Sequence, residues 1–177
     1  MISIRPAEGS DASDLVALAA AIGAEPGGWL LTTEAWRPVA DERRYLKAVR
    51  RHADAAVLVA LDGDRIIGRL SLARDPHPAS AHVADLGMMV AASHRRRGIG
   101  RKLLDAAVAW ARDVNVEKLE LHVFPWNEPA IRLYEDFGFE REGLRRGHYF
   151  RDGVVVDALL MAYHLPSARE SLPFRAP

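Results

Sequence analysis

Met88-Met89-Val90-Ala91-Ala92-Ser93-His94-Arg95-Arg96-Arg97-Gly98-Ile99-Gly100-Arg101-Lys102-Leu103-Leu104 is the stretch on which the reading of this chain turns. An apolar strand, spanning 82–90, leads through a short loop to a pair of glycines at the head of a helix. Leu103, Leu104, Ala107, Val108 and Ala111 recur at three- and four-residue spacing and give that helix one apolar face. A helix N-terminus presents backbone N–H groups without intrahelical partners and the positive end of the dipole. Gly98 and Gly100 let a ligand come close to the backbone, and Arg95, Arg96, Arg97, Arg101 and Lys102 surround the turn. Together these features point to a phosphate or pyrophosphate site. The arginine run alone would read as a solvated face. The stretch is not a P-loop, because no G-x-x-x-x-G-K-[ST] run exists, and Leu103 stands where a dinucleotide fingerprint needs its third glycine. What it does match is [Q/R]-x-x-G-x-[G/A], on Arg95, Gly98 and Gly100.

Downstream, Leu119, Leu121 and Val123 alternate as a strand. Asn127 then caps a helix with Pro129 in its first turn, carrying Ile131, Leu133 and Tyr134 and ending at Gly138. Two strands follow, over 143–150 and 154–164, joined by Asp152-Gly153. Upstream, Ile2 and Ile4 begin a short strand. Ser10 or Asp11 caps a helix with Leu15, Leu18, Ala19 and Ile22 on one side. Residues 24–33 form a loop, and Thr32 or Thr33 opens a second helical region that Pro38 interrupts and Asp41 restarts. Ala55 to Leu61 and Ile66 to Leu72 pair across the Asp62-Gly63 turn. Gly87, inside the strand before the glycine loop, predicts a bulge or a close backbone approach.

The chain has 177 residues, 49% hydrophobic and 27% charged, which fits one soluble globular domain over 1–166 with a short tail over 167–177. Lys+Arg and Asp+Glu are each 24, so no positive excess marks a nucleic-acid or membrane coat. The absence of cysteine excludes thiolate nucleophiles and disulfides, and the seven histidines show no metal-ligand spacing. The N-terminus lacks a signal-peptide pattern and no apolar run could span a bilayer, so a cytoplasmic protein is expected.

Asn127, Ala130, Tyr134, Gly138 and Phe139 stand in the pattern N-x-x-A-x-x-x-Y-x-x-x-G-F, about 27 residues after Gly100. With the Arg95-x-x-Gly98-x-Gly100 loop before it, this order resembles the GNAT N-acetyltransferase family over roughly residues 2–164. The resemblance implies an α+β fold with a mostly antiparallel, splayed sheet of about six to seven strands and about four helices. It implies acetyl-CoA as cosubstrate and no metal. It places the cofactor on Arg95, Arg96, Arg97, Gly98, Ile99, Gly100 and Arg101, on the backbone of Met88, Met89 and Val90, and on Asn127. Tyr134 is the implied general acid for the leaving thiolate. Asp85 is the expected base, with His82, His122 and Glu34 as rivals. Trp29, Glu34 and Asp157 are substrate candidates, and the acceptor is a polyamine, an amino acid or a peptide N-terminus. A CoA-binding sensor without turnover is the alternative, and a homodimer is left open. The sequence departs from the family pattern at Arg96, where glycine is common, so a tight turn there would be less comfortable.

Overall fold

Among the described residues, apolar runs bounded by turn residues become seven strands, and the 3–4 periodic segments between them become four α-helices. The structure, a computed structural model, describes residues 1–31 and 36–166. The strands are β1 (Ile2–Pro6), β2 (Ala55–Asp62), β3 (Arg65–Arg74), β4 (Val83–Val90), β5 (Lys118–Val123), β6 (Glu140–Arg151) and β7 (Val154–His164). The helices are α1 (Ala12–Gly23), α2 (Val39–Val49), α3 (Ile99–Asp113) and α4 (Glu128–Phe137). All strands share one sheet in the order β1-β2-β3-β4-β5-β7-β6. At the β6–β7 turn Asp152 and Gly153 take φ of +48° and +83°, as a two-residue type I′ hairpin requires. The second helix begins only at Val39, with Pro38 as its N-cap. Proline disfavours helical backbone in the residue before it, which explains the late start. The expected opening at Thr32 or Thr33 lies outside the described residues, as does the tail over 167–177.

The sheet is covered differently on its two faces. On one, Ile99, Leu103, Leu104 and Ala107 of α3 and Ile131 of α4 bury against Leu70, Leu86, Leu119, Leu121 and Met161. On the other, Leu15, Leu18 and Ile22 of α1 and Leu46 of α2 bury against Val57, Val59 and Met89. Each such Leu or Ile withdrawn from water contributes about 1.5–3 kcal/mol, so both helix layers are held by apolar burial. No helix among the described residues is long and apolar enough to cross a membrane.

β4 and β5 are the one parallel pair, linked by the α3 crossover that parallel strands need. They pair only at Val83↔Lys118, Ala84↔Leu119 and Asp85↔Glu120. Beyond Asp85, β4 stays with β3 and β5 stays with β7, as far as Val123↔Leu159. The sheet therefore forks, and the edge of β4 from Leu86 to Val90 faces a gap. The expected bulge at Gly87 is not there: the β3–β4 register runs unbroken from Gly68↔Val90 to Arg74↔Ala84, with Gly87 opposite Ser71. The register breaks lie instead at Ala60/Leu61 and twice in β6. The fork comes from the two strands keeping different partners, not from an extra residue.

Candidate active site

A cleft of about 200 Å³ fills the fork. β4 supplies Leu86, Gly87, Met88 and Met89. The end of β5 supplies His122, Val123 and Phe124, and α4 supplies Asn127, Ala130 and Tyr134. Arg69 and Ser71 of β3 and Trp29, Leu30, Leu31 and Trp36 of the α1–α2 connection close the far end. A larger hollow of about 520 Å³ lies beside α1, lined by residues such as Asp14, Leu18 and Arg65. It reaches neither the glycine turn of α3 nor Tyr134, so size does not make it the site.

The glycine loop sits at the entrance to α3. Gly98 is its N-cap at φ +76°, and Arg96 is forced to φ +61°. The discomfort expected at Arg96 is thus present; left-handed backbone costs an L-residue about 1–2 kcal/mol. Among the described residues, the amides of residues 96–98 donate to no protein group, and the first amides of α3 have no intrahelical acceptor. A Cβ built on Gly98 would meet nothing within 4 Å, so the loop is an open concavity of N–H donors, which suits a pyrophosphate. Gly100 has a different reason to lack a side chain: a Cβ there would fall 2.6 Å from Leu133 of α4. Arg95 does not offer its guanidinium to a ligand. It forms a two-pronged pair with Glu25 at 2.6 and 2.8 Å and donates to the Val90 carbonyl at 3.0 Å. Its work is to tie the end of α1 to the end of β4. Arg97 and Arg96 are exposed beside the turn, while the Ile99 side chain is buried core.

Asn127 caps α4, its Oδ1 accepting from the Ala130 amide at 3.3 Å, and still lines the cleft. Two turns on, the Tyr134 ring packs 5.5 Å from Phe139 and is 6% exposed. Its hydroxyl makes no hydrogen bond among the described residues. Burial pushes its pKa up to about 12, so the phenol is protonated throughout the neutral range.

The opposite wall carries the other titratable groups. His122 donates or accepts at Nδ1 with Tyr149 Oη, 2.8 Å away, while its Nε2 is buried without a partner. Desolvation, then the nearby Arg145 and His148, lower its pKa below 6.5. Asp85 does not line the cleft; it is solvent-exposed at the last β4–β5 pair, below the fork. Desolvation and the carboxylates of Glu120 and Asp75 nevertheless raise its pKa above 3.8. Asp157 is also away from the cleft, holding the Gly147 amide at 2.7 Å in an irregular part of β6. Trp29 is in the cleft wall, and Glu34 lies outside the described residues. No group of three or more His, Asp or Glu that could hold a metal occurs among the described residues.

Two residues of the site had a weak sequence signal or none. Arg69 is a lone charge inside the apolar run Ile66–Leu72, and that interruption could have flagged it. Arg151 reads as an ordinary hairpin residue, yet its guanidinium donates to the carbonyls of Leu30 at 2.6 Å and Gly28 at 3.2 Å. Trp126 Nε1 adds a bond to the Gly27 carbonyl at 3.1 Å, so the loop bearing Trp29 is fastened from across the cleft. Arg151→Ala is expected to raise the acceptor KM roughly tenfold, the value of charge-assisted hydrogen bonds, with acetyl-CoA affinity unchanged. Steady-state kinetics against both substrates would check this; an unaltered acceptor KM would mean the loop holds itself.

The comparisons agree with this geometry. The family described as "Acetyltransferase (GNAT) family" matches residues 26–139. The chain is 36% identical to the L-amino acid N-acetyltransferase AaaT of Escherichia coli over 110 residues, 60% of this chain and 65% of that one. It is 27% identical to the spermidine N(1)-acetyltransferase of Vibrio cholerae over 68% of this chain and 69% of the relative. The match therefore spans just under two thirds of the AaaT chain. The structure of yncA from Salmonella typhimurium, solved with acetyl-CoA, superposes with a TM-score of 0.83 over 99% of both chains at 18% identity, a likeness of fold. The chain belongs to the GNAT acetyltransferase family.

Proposed function

We propose that this protein is an acetyl-CoA-dependent N-acetyltransferase that acetylates a small primary amine by direct attack in a ternary complex. The observation that carries the reading is the forked sheet, with an open amide loop at one end and a buried, protonated tyrosine beside the gap. Its relatives are named for amino acid and spermidine acetylation, and both acceptors are small amines. Acetyl-CoA supplies an activated acyl thioester. The amides of residues 96–101 suit its pyrophosphate, and the free edge of β4 at Met88–Val90 suits the amides of its arm. Asn127 borders the same path. A protein that merely sensed CoA would have no need of Tyr134 at the gap. The first test is thiol release from acetyl-CoA across a panel of amines; no release with any amine would overturn the reading.

The acceptor must lose a proton before it attacks. His122 lines the cleft and Asp85 does not, which supports His122 as the group that takes the proton. With Nδ1–H donated to Tyr149 Oη, Nε2 keeps its lone pair. Burial lowers the histidine pKa, so the ring is neutral at pH 7 and becomes protonated only as the pH falls below 6.5. The acid limb of kcat/KM is therefore expected below pH 6.5. His122→Gln should lower kcat/KM about 10- to 100-fold and flatten that limb, whereas Asp85→Asn should leave it in place. A limb that vanishes in Asp85→Asn instead would return the role to Asp85.

A further inference from the structure

Arg69 is 4% exposed, and the only carboxylate in ion-pair distance of it among the described residues is Glu42 of α2, itself fully buried, with N···O 3.4 Å. Glu42 is shared. Its second oxygen takes the Arg37 Nε at 3.2 Å and the Trp36 indole N–H at 3.2 Å. Two guanidinium groups thus divide one negative charge. The Arg69 Nε is buried with no hydrogen-bond partner, and the guanidinium lies 4.8 Å over the Trp36 ring. Arg69 also lines the cleft, directly across the β3–β4 ladder from Met89 and one pleat from the Ser71↔Gly87 pair at the fork. A buried cation that is short of one counter-charge is costly, and a ligand anion brought to it relieves that cost.

We propose that Arg69 receives the carboxylate of the acceptor, so that this enzyme acetylates amines carrying a carboxylate a short distance from the nitrogen, that is, amino acids rather than polyamines. The inference rests on the acceptor reading of the cleft given above. Guanidinium recognises carboxylate through two parallel hydrogen bonds, and the free Nε edge of Arg69 supplies a donor for one of them. The neighbouring ladder positions of Arg69 and Met89 keep anion and reacting nitrogen within one small molecule of each other. A polyamine would instead place a second ammonium beside a buried guanidinium, where Glu42 is already shared between Arg69 and Arg37.

The test compares L-amino acids with the amines obtained by removing their carboxyl group, for example leucine with isopentylamine, and includes spermidine. For the wild type, kcat/KM is expected to favour the best amino acid over its matched amine by about 10- to 100-fold, the scale of charge-assisted hydrogen bonds. Arg69→Gln should erase that preference, so that the ratio of kcat/KM on the amino acid to kcat/KM on the matched amine falls to about one. Arg69→Gln strips Glu42 of a partner, so the double variant Glu42→Gln/Arg69→Gln and the charge-keeping Arg69→Lys are run beside it. Arg69→Lys should lose several-fold on amino acids alone. A binding arm uses CoA-saturated protein and thermal shift: amino acids should raise Tm in the wild type, less in Arg69→Lys and not in Arg69→Gln, and matched amines should raise it in none. Equal losses on acids and amines, or a wild-type preference for spermidine, would overturn the proposal and leave acetyl transfer standing. Carboxylate-dependent binding without thiol release would do the reverse.

Discussion

Tyr134→Phe is expected to cut turnover by about 100-fold or more, the usual contribution of a positioned acid, while leaving acetyl-CoA binding nearly intact. The ring packing against Phe139 is retained in the variant, and the hydroxyl bonds no described residue, so the fold loses almost nothing. What disappears is a hydroxyl donor that lines the cleft beside the gap. A phenol with pKa near 12 is less acidic than an ordinary thiol, whose pKa is about 8.5, so full proton transfer to the thiolate is uphill. On the proposed reading Tyr134 would act by donating a hydrogen bond to the negative charge that develops on sulfur. The same value keeps Tyr134 out of any alkaline limb below pH 11. Single-turnover thiol release and CoA titration separate the two effects. Equal turnover in wild type and variant would remove Tyr134 from the chemistry.

Gly98→Val is expected to abolish stabilisation by acetyl-CoA, which for a ligand at 100 times its Kd amounts to about 2.7 kcal/mol. Two causes add. At φ +76° any L-residue carries about 1–2 kcal/mol of strain, which bends the loop away from its amide geometry. The branched side chain also projects into the open space through which a pyrophosphate approaches. Because a Cβ at Gly98 meets no protein atom within 4 Å, packing around it is untouched and the unliganded fold survives. Gly98→Ala shares the strain with less bulk and should fall between. Gly100 would be a less clean test position: a Cβ there falls 2.6 Å from Leu133 Cδ2, so the Leu133 side chain must shift and packing between α3 and α4 changes as well. Thermal shift with and without acetyl-CoA decides the matter, and full stabilisation of Gly98→Val would move the pyrophosphate elsewhere.

Much of the architecture was readable from local pattern. The hairpin after Asp62, whose turn falls on Gly63-Asp64, the Asp152-Gly153 turn, the Asn127 cap and the α3 stripe are each set by neighbours within a few residues, so composition and spacing expose them. The strain at Arg96 was expected from the resemblance, because the family often has glycine at that position. The regular pairing at Gly87 was not, because a glycine in a strand can mark several things and its ladder partner Ser71 is 16 residues away. Arg95 looked like a phosphate ligand, and only the folded chain brings Glu25 to it across 70 residues. Asp85 and Asp157 were placed by strand position alone, which does not say how far along a strand the gap opens.

The sequence by itself determined the class of protein: the glycine loop, the Asn127-to-Phe139 pattern and their order are local, and they carry the likeness to the family. The end of the cleft proposed for the acceptor was decided only by the tertiary structure. Arg69, Glu42, Trp36, His122, Tyr149 and Arg151 come from α2, β3, β5, β6 and a loop, and no short spacing joins them. Their roles arise from burial and shared charge, quantities that exist only once separate segments exclude water from the same place.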